Sequence, residues 1–308
     1  QHFVGRMQSL SAVGRRAAVQ SRRHMSTPVP FVKHLAKKEI ANPFPGITFL
    51  EKAINRKITA RIGSNECIDP PSHPLSSVLN KELLDLCRLY PDPYARSLRA
   101  TLAEMAGCLP SEVLVDAGGD SLISLCLRCR VSPGDVVVTT AGTYPTFKYF
   151  SEGVGAEIVE VPYAKDAASG HLSTDLEALA AAATKREASV VYVANPDNPT
   201  GHVHPADALL KLRASIPMSC TLILDEAYVD FAPEMAVGWR MPNTVQIRTL
   251  SKAYGTAGLR VGYWISEEQW VDKGDQLRTQ YGISNLSVHI AEALVRDPAY
   301  SRGLVGET

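Results

Sequence analysis

The stretch Val190-Val-Tyr-Val-Ala-Asn195-Pro-Asp-Asn198-Pro-Thr-Gly201 decides the reading of the fold. A short β-branched run leads into a turn whose prolines hold the backbone extended. A helical pattern over 206–214 follows, and then a second apolar run, 222–224, that delivers Asp225, Glu226 and Tyr228. Strand, turn, helix and strand make the repeating unit of a parallel sheet. The alternation continues outward in both directions. Further β-branched runs lie at 113–115, 136–140, 158–161, 245–247 and 261–264, and helical patterns at 121–130 and 176–183. Leu79, Leu83, Leu86 and Leu89 recur at helical spacing, as do Leu98, Leu102 and Met105. The expected fold is α/β: a mostly parallel sheet sandwiched by helices, with ligands at the carboxyl ends of its strands.

Composition narrows the functions open to such a fold. Lys plus Arg number 32, as do Asp plus Glu, and 45% of the 308 residues are hydrophobic. That balance argues against a protein built mainly to hold nucleic acid. No apolar run approaches the roughly 18 residues needed to cross a bilayer. Six Cys are too few for a disulfide scaffold and read as reduced thiols. Cys126 and Cys129 form a C-x-x-C inside a helical pattern, which reads as core thiols. His202 and His204 alternate on an extended segment with no carboxylate or Cys ligand near in sequence, so no metal site is expected.

The two ends differ from the middle. Residues 1–27 hold Arg6, Arg15, Arg16, Arg22 and Arg23 and no acid, the first acid being Glu39. An acid-free basic leader without an apolar segment reads as an organelle transit peptide, more mitochondrial than secretory; a basic tail preceding a start at Met25 is the other reading. Residues 28–75 carry Pro28, Pro30, Pro43, Pro45, Pro70, Pro71 and Pro74. They read as an extended arm with at most a short helix near 31–38. The expected division is leader 1–27, arm 28–75, large domain 76–285, and 286–308 as the start of a smaller, incomplete domain.

Four stretches gather chemistry. Thr249-Leu-Ser-Lys252-Ala-Tyr-Gly-Thr-Ala-Gly-Leu-Arg260 places hydroxyls, an amine and a guanidinium around a glycine-rich loop. Hydroxyls with a guanidinium suit a phosphate monoester, and the amine can condense with a carbonyl cofactor. A surface lysine is the plain alternative. Asp225, at the end of an apolar strand, can pair with a protonated heteroaromatic nitrogen, hold a metal or cap a helix. No Gly-Lys-Ser/Thr loop precedes it, so a nucleotide hydrolase is excluded. Asn198, in the proline turn, can donate to a phenolate oxygen. Gly118-Gly119-Asp120 opens a helix after a strand and offers free N–H groups to an anion. Tyr144, after the strand ending at Thr140, can stack on a flat ring or pack in the core.

Together these pieces resemble fold-type I pyridoxal-phosphate enzymes, the class I/II aminotransferases, and within them the histidinol-phosphate aminotransferases. The resemblance rests on Ser64-Asn65-Glu66, Tyr90-Pro-Asp-Pro, Gly118-Gly-Asp, Thr143-Tyr144, Asn195-Pro-Asp-Asn-Pro-Thr-Gly, Asp225-Glu-Ala-Tyr and Ser251-Lys252 with Arg260, in family order. It implies that Lys252 holds pyridoxal 5'-phosphate covalently and shuttles the substrate's proton. It implies that Asp225 keeps the ring nitrogen protonated, that Asn198 and Tyr228 bond the ring's 3' oxygen, and that Tyr144 stacks on the ring. Thr249, Ser251, Arg260, Gly119 and Asp120 would cradle the phosphate, which Tyr90 would reach from the partner subunit of a homodimer. The implied reaction is histidinol phosphate plus 2-oxoglutarate giving imidazole acetol phosphate and glutamate, a step of histidine biosynthesis.

An aromatic or other amino-acid aminotransferase, an amino-acid-phosphate decarboxylase and a non-catalytic cofactor-binding remnant share the same core. Two departures bear on that choice. Asn65-Glu66 continues with Cys67-Ile68, where the family has Asn-Pro, and the chain runs from Lys252 only to Thr308. The family continues well beyond that point into a small domain carrying a carboxylate-binding arginine. Arg278, Arg296 and Arg302 remain, none in a matching motif, so the chain reads as C-terminally incomplete.

Overall fold

The computed structural model describes residues 31–36, 39–44, 46–60, 63–67, 80–232 and 241–306. The leader 1–27, Ile68 and Leu79 lie outside them. The chain separates into two units, dividing between Gly63 and Ser64.

The described residues of the first unit form two helices, Lys33–Ala36 and Ile47–Ile54, neither with a buried residue. The second corrects the reading of 28–75 as extended with one short helix at most. Once past Pro45-Gly46, the run Ile-Thr-Phe-Leu-Glu-Lys-Ala-Ile contains no proline and forms two full turns. Asn55 ends it in the left-handed region, φ 52°. Glu51 then accepts from Lys57 Nζ at 2.9 Å and from the Ile58 amide at 3.1 Å, folding the chain back on the helix.

The described residues of the second unit form nine strands: β1 Val113–Asp116, β2 Val136–Thr140, β3 Glu157–Val161, β4 Ala164–Lys165, β5 Leu172–Ser173, β6 Val190–Ala194, β7 Thr221–Asp225, β8 Thr244–Thr249 and β9 Gly262–Ile265. Seven form one sheet in the order β1-β9-β8-β7-β6-β2-β3, and β4 and β5 pair as a small hairpin. The pairs β2–β3, β2–β6, β6–β7 and β7–β8 are parallel. Strand β9 alone is reversed, running antiparallel to both β1 and β8. The reason is its connection. A loop, not a covering helix, joins β8 to β9, so the chain turns straight back. The residues just before β9 therefore return to the edge at which the parallel strands end.

Period-two alternation sorts the strands onto two cores. Val191, Val193, Leu222 and Leu224 face the helices Leu176–Lys185 and Ala206–Ser215, meeting Leu179, Leu209 and Leu212. Tyr192, Ile223, Val245, Ile247 and Trp264 face the other way, against Leu122 and Ile123 of the helix Gly119–Arg130. A third cluster packs the helices Arg96–Ala106 and Asn285–Val295 against β1 and β9 through Leu98, Leu102, Val288 and Ala291. Leu79 lies outside the described residues, and beyond it the leucine ladder breaks early. The helix Lys81–Asp85, which carries Leu83, tightens into a 3-10 turn, Leu86–Arg88, and Leu89 is exposed. Among the described residues no helix is long and apolar enough to cross a membrane.

Gly262 starts β9 where two backbones nearly touch. A Cβ there would lie 2.7 Å from the Gly118 carbonyl carbon and 2.9 Å from its Cα. Backbone cannot swing aside as a flexible side chain would. Gly262→Ala is therefore expected to destabilise the fold by about 1–3 kcal/mol, read as a lowered urea midpoint at unchanged slope. An unchanged midpoint would mean that the approach is looser than described.

Candidate active site

The carboxyl edge of the sheet collects the sequence-predicted residues because every parallel strand ends there. β1 leads to Gly118-Gly119-Asp120, β2 to Thr143-Tyr144, β6 to Asn195, β7 ends on Asp225, and β8 leads to Ser251-Lys252. Arg260 joins them through the reversal of β9.

Asp225 is buried, and among the described residues its carboxylate is met by neutral donors only. Tyr192 donates its phenol to Oδ2 at 2.7 Å, and the Ala227 amide donates to Oδ1 at 3.0 Å. Burial pushes its pKa from 3.8 up to about 6 against those two bonds, with Asp120 and Glu226 adding to the rise. Among the described residues no salt bridge is formed by Asp225. Its neighbour Glu226 shows the contrast: buried equally deeply, it accepts from Arg248 Nε at 2.7 Å. A buried carboxylate left without a cation is costly on its own, and is suited to receive one.

Lys252 points into the same space. Its Nζ donates to the carbonyls of Ser64 at 3.1 Å and Asn65 at 3.2 Å, and lies 5.4 Å from the centroid of the Tyr228 ring. Burial lowers the ammonium pKa, and Arg260 adds to the effect; Glu66, Asp120 and Asp225 oppose it. The direction favours a free amine, the nucleophilic form. The Tyr228 phenol oxygen accepts from Asn65 Nδ2 at 2.8 Å and from Asn198 Nδ2 at 3.5 Å. Tyr144 donates its phenol to Asp120 Oδ1 at 3.0 Å.

The candidate anion-binding corner is the start of the helix Gly119–Arg130. Its first amides have no acceptor within the helix. Gly118 takes φ 84°, and a Cβ on it would fall 2.6 Å from Arg260 Nη2, so only glycine lets the guanidinium lie against the turn. Arg260 is exposed, and among the described residues its guanidinium bonds only backbone carbonyls, Nη1 to Ala257 at 3.1 Å and Nη2 to Ala117 at 3.5 Å. Thr249 Oγ1 and Ser251 Oγ share a hydrogen bond of 2.8 Å.

The turn after β6 is held from below. Buried Asp197 accepts from Thr143 Oγ1, Tyr163 phenol and Thr200 Oγ1, each at 2.8 Å. Both Asn195-Pro196 and Asn198-Pro199 are cis. Asn195 closes the far side, its Oδ1 taking the His204 amide at 2.8 Å.

Tyr90 lies on the surface. It is 82% exposed and touches Tyr281, ring centroids 4.8 Å apart. Cys126 is fully buried and Cys129 partly so, in the helix Gly119–Arg130. His202 Nδ1 is hydrogen-bonded to His171 Nε2 at 3.1 Å. Among the described residues no three His, Cys, Asp or Glu side chains form a metal-holding group. Reading the sequence for site residues passed over Tyr192, Asn65 as a partner of Tyr228, and Asp197 with its three donors. Tyr192 carried a signal: a phenol within an otherwise aliphatic buried strand needs an acceptor.

A phosphorylated pyridine aldehyde asks of a protein an amine, an acid awaiting a cation and a basic corner lined with glycine, and all three lie on this one edge. The chain is thereby placed among lysine-dependent α/β transferases. The model of the family described as aminotransferase class I and II matches residues 59–303, and the chain belongs to that family. It is 36% identical over 249 residues to histidinol-phosphate aminotransferase 2 of Ralstonia nicotianae, covering 79% of this chain and 64% of that protein. Similarity to the chloroplastic histidinol-phosphate aminotransferase of Nicotiana plumbaginifolia is 30% over 272 residues, 87% of this chain and 63% of that protein. The chain thus spans a little under two thirds of these relatives. The crystal structure of histidinol-phosphate aminotransferase from Sinorhizobium meliloti in complex with pyridoxal-5'-phosphate superposes with TM-score 0.82 at 35% identity, over 91% of this chain and 75% of that one. The fold is that of the fold-type I transferases.

Proposed function

We propose that the chain binds pyridoxal 5'-phosphate and transfers the amino group of histidinol phosphate to 2-oxoglutarate. The observation that carries the reading is the presence on one edge of the sheet of Lys252 and of a buried Asp225 that forms no salt bridge among the described residues. The relatives' names supply the donor.

When bound, the cofactor supplies a carbonyl that takes up amines and a ring that withdraws electrons from the attached carbon. Asp225 would hold the proton of the ring nitrogen by offering it a charge. Arg260, Thr249, Ser251 and the amides of Gly119 and Asp120 would hold the phosphate. Asn198 and Tyr228 would orient the 3' oxygen, and Tyr144 would stack on the ring. Lys252 Nζ would anchor the cofactor and move the proton at the substrate's α carbon. A homodimer is part of the reading, with Tyr90 reaching across, as its exposure allows. So is delivery to an organelle, supported by the acid-free leader and by the chloroplastic relative.

A donor screen on the full chain tests this. Histidinol phosphate with 2-oxoglutarate is expected to yield glutamate. Carbon dioxide released from an amino-acid phosphate would favour a decarboxylase. Cofactor uptake without turnover of any donor would favour a binding remnant.

A further inference from the structure

Tyr192 is absent from the resemblance, and its role follows from its place. It stands mid-strand in β6, fully buried, with its ring stacked on Phe147 at 4.4 Å between centroids and 15° between planes. The stack fixes where the phenol ends, and the phenol ends 2.7 Å from Asp225 Oδ2. The other oxygen of Asp225 is served by the Ala227 amide. Asp120 from the helix start and Glu226, the next residue in the chain, act against a charge on Asp225, and the Asp225 charge is felt in turn by Tyr144, Tyr228 and Lys252. Burial pushes the Tyr192 phenol well above its usual range, so it remains a donor at every working pH.

Resting on the reading of the site given above, we infer that Tyr192 is a positioning residue for Asp225, its stacked phenol fixing the Oδ2 oxygen and holding the carboxylate as the anion that receives the cofactor's ring nitrogen. Without that hydroxyl, Oδ2 has no donor, and a carboxylate already disfavoured by burial takes up a proton more readily. A protonated acid must lose its proton before it can pair with a cationic ring. The loss of cofactor affinity then depends on pH.

The test is a carbon-13 NMR titration of the Asp225 carboxyl in the full chain without cofactor, for the parent, Tyr192→Phe and Phe147→Leu. It is run beside the affinity for pyridoxal 5'-phosphate between about pH 5 and 8. Tyr192→Phe is expected to raise the Asp225 midpoint by about one to two pH units above its value near 6. The acid limb of cofactor affinity should move with it, about tenfold weaker near pH 6.5 and recovering toward alkaline pH. Phe147→Leu keeps the donor, so it should weaken binding evenly across pH and leave the midpoint in place. An unmoved midpoint in Tyr192→Phe, or a loss of affinity equal at every pH, overturns the inference. If the parent takes up no cofactor at any pH, the proposed function fails, and the carboxyl titration still decides the role of Tyr192.

Discussion

Lys252→Ala is expected to lower amino-group transfer by at least ~10⁴-fold, since it removes both the covalent anchor and the group that moves the proton. The fold should survive. The Lys252 ammonium donates only to the carbonyls of Ser64 and Asn65, and forms no salt bridge among the described residues. Removing it also relieves the cost of holding a partly buried charge. The check is a single-turnover assay with histidinol phosphate beside a urea unfolding curve. Turnover within tenfold of the parent would remove Lys252 from the chemistry. Transfer lost together with the unfolding transition would make the residue structural.

The second large effect belongs to Asp225→Asn. Expected is a loss of turnover of roughly 10³-fold, because an amide offers no charge to keep a ring nitrogen protonated. Stability of the cofactor-free chain should move the other way. The Asp225 pKa in the folded chain, about 6, stands above its ordinary value of 3.8. The folded state therefore binds that proton more tightly than the unfolded chain does. The stability this contributes is fully present below about pH 4 and is lost as pH rises through about 6. At neutral pH the parent thus carries a penalty that Asn removes, and the variant's midpoint should equal or exceed the parent's. A variant that keeps its rate, or one that unfolds more readily at neutral pH yet matches the parent at pH 4, would contradict the account of Asp225.

Much of this was legible in the sequence, for a physical reason. Strands buried on both faces read as unbroken β-branched runs, and those at 136–140, 190–193 and 222–224 fall on β2, β6 and β7 to within a residue or so. The candidate residues follow because each parallel strand delivers its last side chain to one edge. The reversal of β9 was not legible, since a β-branched run carries no direction. It is nonetheless what brings Arg260 beside Gly118. The helix Ile47–Ile54 was hidden by counting prolines over the whole arm without asking where they stop. Tyr192, Glu226 with Arg248, and Asp197 with its three donors depend on strands meeting across the sheet, and pairing order is not written in any single stretch.

The central claim is that Lys252 is the amine that takes up the cofactor. Incubation of the full chain with pyridoxal 5'-phosphate, reduction with borohydride, digestion and mass spectrometry test it most directly. The account predicts a visible absorbance band before reduction and a pyridoxyl tag on the peptide carrying Lys252 and on no other. A colourless protein, or a tag spread over surface lysines such as Lys211 and Lys273 with Lys252 unmodified, would contradict it.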